Sequence, residues 1–218
     1  IGMIAWKFSG VRLAIFSVLA MLFTGLLGLW QESMTTLAMV LSSVLVCTIV
    51  GIPLGIVAGR SDRFDAGLRP VLDAMQTTPA FVYLVPIVML FSVGNVAGVL
   101  ATIIFSLPPI IRLTSLGIRQ VHPELVEAAQ AFGATRGQVL IKVQIPLAMP
   151  TILAGLNQTI MMALSMVVIA ALIGAGGLGS PVILGLNTLD IGLAVIGGLS
   201  IVLMAIVLDR ITQAMAQK

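Results

Sequence analysis

Long runs without a charged side chain alternate with short charged connections, and the run lengths carry the first prediction. A helix crossing the hydrocarbon needs about 20 mainly apolar residues, because every backbone N–H and C=O there must be satisfied within the helix. Residues 13–30 and 34–59 are two such runs, with Glu32 in the short connection that would fold them into a hairpin. Residues 74–111 are uncharged but too long for one crossing, so they are expected to break at Ser92, Val93, Gly94 and Asn95 into a third and fourth span. The uncharged run 143–189 starts with Pro146 and Pro150 and is interrupted by the cluster Gly174 to Gly179, which leaves 151–173 as a fifth span. Residues 191–208 form the sixth. The pattern predicts an all-α, polytopic membrane protein of about six transmembrane helices, one domain over 1–218.

Cations sharpen the topology, since Lys and Arg collect on the cytoplasmic side of span ends. With a cytoplasmic start and six spans, Lys7, Arg12, Arg60, Arg63, Arg69, Arg112, Arg119, Arg136, Lys142, Arg210 and Lys218 all fall inside, and the C-terminus is cytoplasmic. The outer loops keep only Glu32 and Asp190. Gly51, Gly55 and Gly59 repeat every four residues and predict a smooth packing face. Pro53, Pro86, Pro108 and Pro109 predict kinks or broken helices.

Composition narrows the function. Of 218 residues 59% are hydrophobic and 9% charged, with a mean hydropathy of +1.18, far from a soluble domain in which about a quarter of residues are charged. The cations are bunched between spans and form no contiguous basic face, which excludes a nucleic-acid partner. One cysteine, Cys47, and one histidine, His122, exclude a disulfide framework and a zinc or haem cluster. No catalytic residue and no metal site are expected. The opening string around Ile1 carries no signal peptide with a cleavage site, and further residues before Ile1 are expected.

The longest polar stretch, residues 112–150, holds the clearest local pattern, HPELVEAAQAFGATRGQVLIKVQIP. Pro123 suits a first helical turn, and Glu124 and Glu127 suit the positive end of a helix dipole. Leu125, Ala128, Ala129 and Phe132 recur at helical spacing, and Gly133 is placed to end the helix. With few cations beside it, such a helix fits a protein groove better than an anionic lipid surface.

Glu127-Ala128-Ala129, three residues, Gly133, nine residues and then Val143-Gln144-Ile145-Pro146 resemble the EAA loop of ABC importer permeases. Two apolar exchanges, Val143 and Ile145, are the departures from the family pattern. The resemblance implies a type I, MetI-like permease fold in which this loop is a coupling helix docked in a cytoplasmic ATPase. It assigns Glu127, Ala128, Ala129 and Gly133 to that contact. Residues 78–91, 146–179, 189–194 and 208–214 are similar to permeases of glycine betaine, proline betaine and related quaternary ammonium osmoprotectants, used in osmotic stress.

The same resemblance implies a homodimer in the bacterial inner membrane, two ABC ATPase subunits that bind ATP and Mg, and a periplasmic or lipid-anchored substrate-binding protein. Because the chain stops soon after its last span, that binding protein is expected to be a separate polypeptide. No G-x-x-x-x-G-K-[ST] occurs, so an ATPase site is expected on another subunit. Asn157, Gln158 and Thr159, with Met162 beside them, are candidates for the substrate pathway, with helix–helix hydrogen bonding equally open. Permeases for choline or an amino acid are the nearer alternatives. A channel or ion-coupled secondary transporter is the farther one, because no ionisable residue lies at the centre of an expected span.

Gly174 to Gly179 match G-x-G-x-x-G on letters but lack the strand and the acidic partner of a dinucleotide site. They read as a flexible or re-entrant connection at the outer mouth. Asp190 reads as a solvated loop carboxylate, and Asp62, Asp65 and Asp73, alternating with Arg60, Arg63 and Arg69, as a solvated cytoplasmic face.

Overall fold

The computed structural model describes Trp6 and residues 10–216; Lys7 and Lys218 lie outside the described residues. Only helices, turns and bends occur among them. Each expected span falls on a helix, but the boundaries move. Helix α1, Val11–Leu26, is 16 residues long. A turn with Gly28 at φ 78 leads into α2, Trp30–Arg60, of 31 residues. Glu32 is therefore not in the connection: it occupies the first turn of α2, where a carboxylate meets the positive end of the dipole.

The third span differs most. Residues 74–77 belong to a polar helix α3, Asp62–Thr77, and α4, Ala80–Phe91, has only 12 residues, about 18 Å at 1.5 Å per residue. Extended Thr78 and Pro79, which supplies no N–H, turn the pair through 95°. The break expected at Ser92 to Asn95 is present, with Ser92 at φ 65 and Gly94 at φ 129. Helix α5, Asn95–Arg119, follows, then α6, Pro123–Ala131.

Four stretches are long and apolar enough to cross a membrane, α2, α5, residues 136–173 and the last helix, or five with the bent pair as one. The 136–173 stretch begins as α7, Arg136–Val139, under a capping box between Thr135 and Gln138. It passes through a π-helical turn, Leu140–Gln144, into α8, Ile145–Ala170. Ile145 N–H reaches back five residues to Leu140 O. Pro146 has no N–H to give Lys142 O, so the regular four-residue ladder is interrupted at this point. Helix α9 is Gly179–Thr188, and α10, Ile191–Ala216, runs on past the expected end at 208. Helix assignment also continues through Pro53, Pro108 and Pro109, so these do not break their spans.

Helix α5 occupies the centre, with Ala97, Ala101, Ile110 and Ile111 fully buried. Gly51, Gly55 and Gly59 of α2 lie against Ile110, Thr114 and Ile118 of α5. A Cβ on Gly55 would stand 2.5 Å from Thr114 Cβ and 2.7 Å from Ile111 O, so only hydrogen fits there. On the other side Gly155 of α8 approaches Leu113 and Pro109, and Gly117 of α5 approaches Thr151 and Ala148. Small residues thus let three helices close to backbone contact, the packing mode of membrane bundles, where van der Waals fit replaces the hydrophobic effect.

Candidate functional site

The loop between α5 and α8 is built as a short helix standing clear of the bundle. Pro123 starts α6 with the fixed φ that a first turn requires. Gly133, at φ 84, ends it: Gly133 N–H donates to Gln130 O, and Ala134 N–H donates to Ala129 O. This is the reciprocal closure of a Schellman motif, which needs a left-handed residue. Glu127, Ala128 and Gly133 are exposed and Ala129 is half-buried. Leu125 is 45% exposed and Phe132 93%. The apolar stripe is therefore uncovered within this chain, with only Ala129 turned partly inward.

The cytoplasmic connection α3 is held by charge. Arg119 of α5 reaches Asp62 at 2.6 Å and Asp65 at 3.5 Å and donates to Ala58 O at 2.8 Å. Arg69 pairs with Asp65 at 2.6 Å, and Arg112 pairs with Asp73. The carboxylates expected to be merely solvated instead clamp α3 onto α5. A cleft of about 400 Å³ separates these helices, and its three arginines all have a carboxylate partner.

Asn157, Gln158 and Thr159 follow one another at about 100° around α8 and so face three ways. Asn157 is half-buried and its Nδ2 donates to Asp209 Oδ1 of α10 at 2.9 Å. Helix–helix bonding is thus what the structure gives that side chain. Gln158 is exposed and Met162, one turn on, is half-buried, so these two share an outward face. Thr159 is fully buried, and its Oγ1 has no partner among the described residues. Met166 is core.

Asp209 is the site residue that the sequence reading missed. It lies inside α10, and its two oxygens take Asn157 Nδ2 and Gln213 Nε2. The signal available was weak: a carboxylate one position past an uncharged run, followed four residues later by an amide.

The Gly174 to Gly179 connection is packed, not flexible. Ala175 and Leu178 are fully buried, and Leu178 N–H donates to Thr36 Oγ1 of α2 at 2.8 Å. Gly177, at φ 84, lies where a Cβ would meet Thr36 Oγ1 at 2.5 Å, so the backbone can make that bond only without a side chain. Asp190 accepts from Leu193 N–H at 3.0 Å, which makes it the cap of α10. Tyr83, whose hydroxyl donates to Met75 O at 2.5 Å, fastens α4 to α3 across their bend.

Residues 51–218 match the family described as the binding-protein-dependent transport system inner membrane component. The chain belongs to that family. It is 58% identical, over 99% of its own length, to the glycine betaine/proline betaine transport system permease protein ProW of Escherichia coli, and covers 61% of that protein. It is 51% identical over 96% of its length to the glycine betaine transport system permease protein OpuAB of Bacillus subtilis, covering 74% of it. The chain thus spans about three fifths of the ProW protein. Among solved structures, the MetNI methionine ABC transporter in an inward-facing conformation superposes with a TM-score of 0.77 at 20% identity, over 87% of this chain and 94% of that one. At that identity the likeness establishes the fold, which is the MetI-like permease fold expected from the loop motif.

Proposed function

We propose that this chain is the membrane permease subunit of an ATP-driven importer for glycine betaine, proline betaine and related quaternary ammonium osmoprotectants. The observation that carries the reading is the 58% identity maintained over 99% of the chain with a permease named for those solutes. The uncovered stripe of α6 supports the coupling half of the reading. Leu125, Ala128 and Phe132 present apolar surface on the aqueous side of the bundle, where only another protein would bury it. Glu127, Ala128, Ala129 and Gly133 are assigned to that contact, with two cytoplasmic ATPase subunits binding ATP and Mg.

In this reading two copies of the permease line one pathway in the bacterial inner membrane, with the C-terminus cytoplasmic. A periplasmic or lipid-anchored binding protein delivers the solute from outside. Closure of the ATPase pair moves α6, and with it the helix continuous to residue 173. The outward Gln158 and Met162 are the pathway candidates that remain on an open face. A soft, uncharged wall of this kind lets a methylated cation pass without tight binding.

The test is uptake of labelled glycine betaine by cells lacking their own osmolyte importers and supplied with this permease, its ATPase and its binding protein. ATP-dependent uptake is expected. An assembled membrane complex that takes up choline or an amino acid but no betaine would overturn the substrate assignment. Uptake driven by an ion gradient without the ATPase would overturn the importer class.

A further inference from the structure

At 31 residues and 1.5 Å per residue, α2 is about 45 Å long, the thickness of a bilayer with its headgroup layers included. Its last residue, Arg60, therefore lies in the cytoplasmic headgroup layer. The exposed apolar residues Leu41, Leu45, Ile49 and Val57 recur at intervals that keep them on one outward stripe, and Arg60 is the next position on it. The stripe thus runs from the bilayer interior to an arginine at the level of lipid phosphates.

A cavity of about 170 Å³ opens at that point, between the end of α2 and the loop helices. It is lined by Arg60, Val126, Gln130, Arg136, Val139 and Gln144. Gln144 closes the π-helical turn, which places it beside Val139 and across from Gln130. The lining holds two guanidinium groups, two amides and no carboxylate. Neither Arg60 nor Arg136 makes an ion pair among the described residues, whereas Arg69, Arg112 and Arg119 of the neighbouring cleft all do.

We propose that this cavity is a binding site for the phosphate of an anionic phospholipid of the inner leaflet. The Arg60 and Arg136 forks would grip its oxygens and the Gln130 and Gln144 amides would donate beside them. The acyl chains would lie along the α2 stripe. A lipid held there joins a spanning helix to the α6–α7 loop, so the position of the loop is tied to the bilayer surface. The proposal does not depend on which solute is transported.

The full chain, purified in mild detergent and offered equal amounts of phosphatidylglycerol and phosphatidylcholine, tests it through the lipid retained in native mass spectrometry. Wild type is expected to retain phosphatidylglycerol, and Arg60→Gln with Arg136→Gln to lower that retention on the order of tenfold, since each basic residue near the surface contributes to anionic-lipid attraction. Gln130→Leu, which keeps both charges, is expected to cause a smaller loss and covers the case of a double variant that does not fold. Equal retention by wild type and both variants, or equal retention of the two lipids by wild type, overturns the proposal. Complete displacement of phosphatidylglycerol by excess inorganic phosphate overturns the lipid as the source of the anion. A double variant that keeps its lipid but loses its ATPase makes the cavity a protein contact and overturns it as well.

Discussion

The seam between α2 and α5 and the exposed face of α6 are both made of small residues, yet one is finished and the other is not. In the seam, Gly51, Gly55 and Gly59 already have Ile110, Thr114 and Ile118 against them. On α6, Ala128 and Gly133 are equally small but open to solvent, with Phe132 almost fully exposed beside them. Small residues serve the same purpose in both places, which is to let a second surface come close. What differs is whether that surface is part of this chain.

The contrast is broken most severely by Gly55→Leu, which forces a branched side chain into the space of Thr114 and the Ile111 carbonyl. Such overpacking is expected to cost about 3 kcal/mol and to show as aggregation on detergent extraction and loss of a cooperative melt. On the open face, Glu127→Arg is expected to leave melting unchanged while uptake falls tenfold or more and ATPase co-purification is lost. A Glu127→Arg protein that melts well below wild type would place α6 on the structural side of the comparison.

Asn157→Leu tests a polar contact inside the bundle. It removes a donor from Asp209 and is expected to lower stability by about 2 kcal/mol, read as a fall in melting temperature that Asp209→Leu in the same chain does not deepen further. Gly133→Ala has open space around it but sits at φ 84. Its expected cost is about 1 kcal/mol, confined to α6 and visible as faster amide exchange over residues 123–134 while the seam glycines stay protected.

Spans and loop were legible because their signals are local. An uncharged run is bounded by its own charges, and Pro123 and Gly133 act on their own φ. The bend at Pro79 was harder to read, because residues 74–77 are uncharged and join either neighbour on composition alone; only the charges of Asp62, Asp65 and Asp73, taken up by Arg119 and Arg112, show which. Asp209 escaped notice for a related reason: a carboxylate at a span end looks terminal until its donor, 52 residues away in sequence, is known. The glycine connection was misjudged because glycines mark both mobile turns and backbones approached closely by a neighbour. Thr36 on another helix decides between them.

The unbroken stretch from Arg136 to Ile173, 38 residues, measures about 57 Å end to end at 1.5 Å per residue. It behaves as a lever arm whose short end begins in the α6–α7 loop and whose long end reaches the turn buried beneath Thr36. A tilt of only about 5° over that length swings the far tip sideways by roughly 5 Å, comparable to one helical pitch. The π-helical turn at Leu140–Gln144 sits near the driven end, where a change of one residue in register would rotate the shaft instead of swinging it.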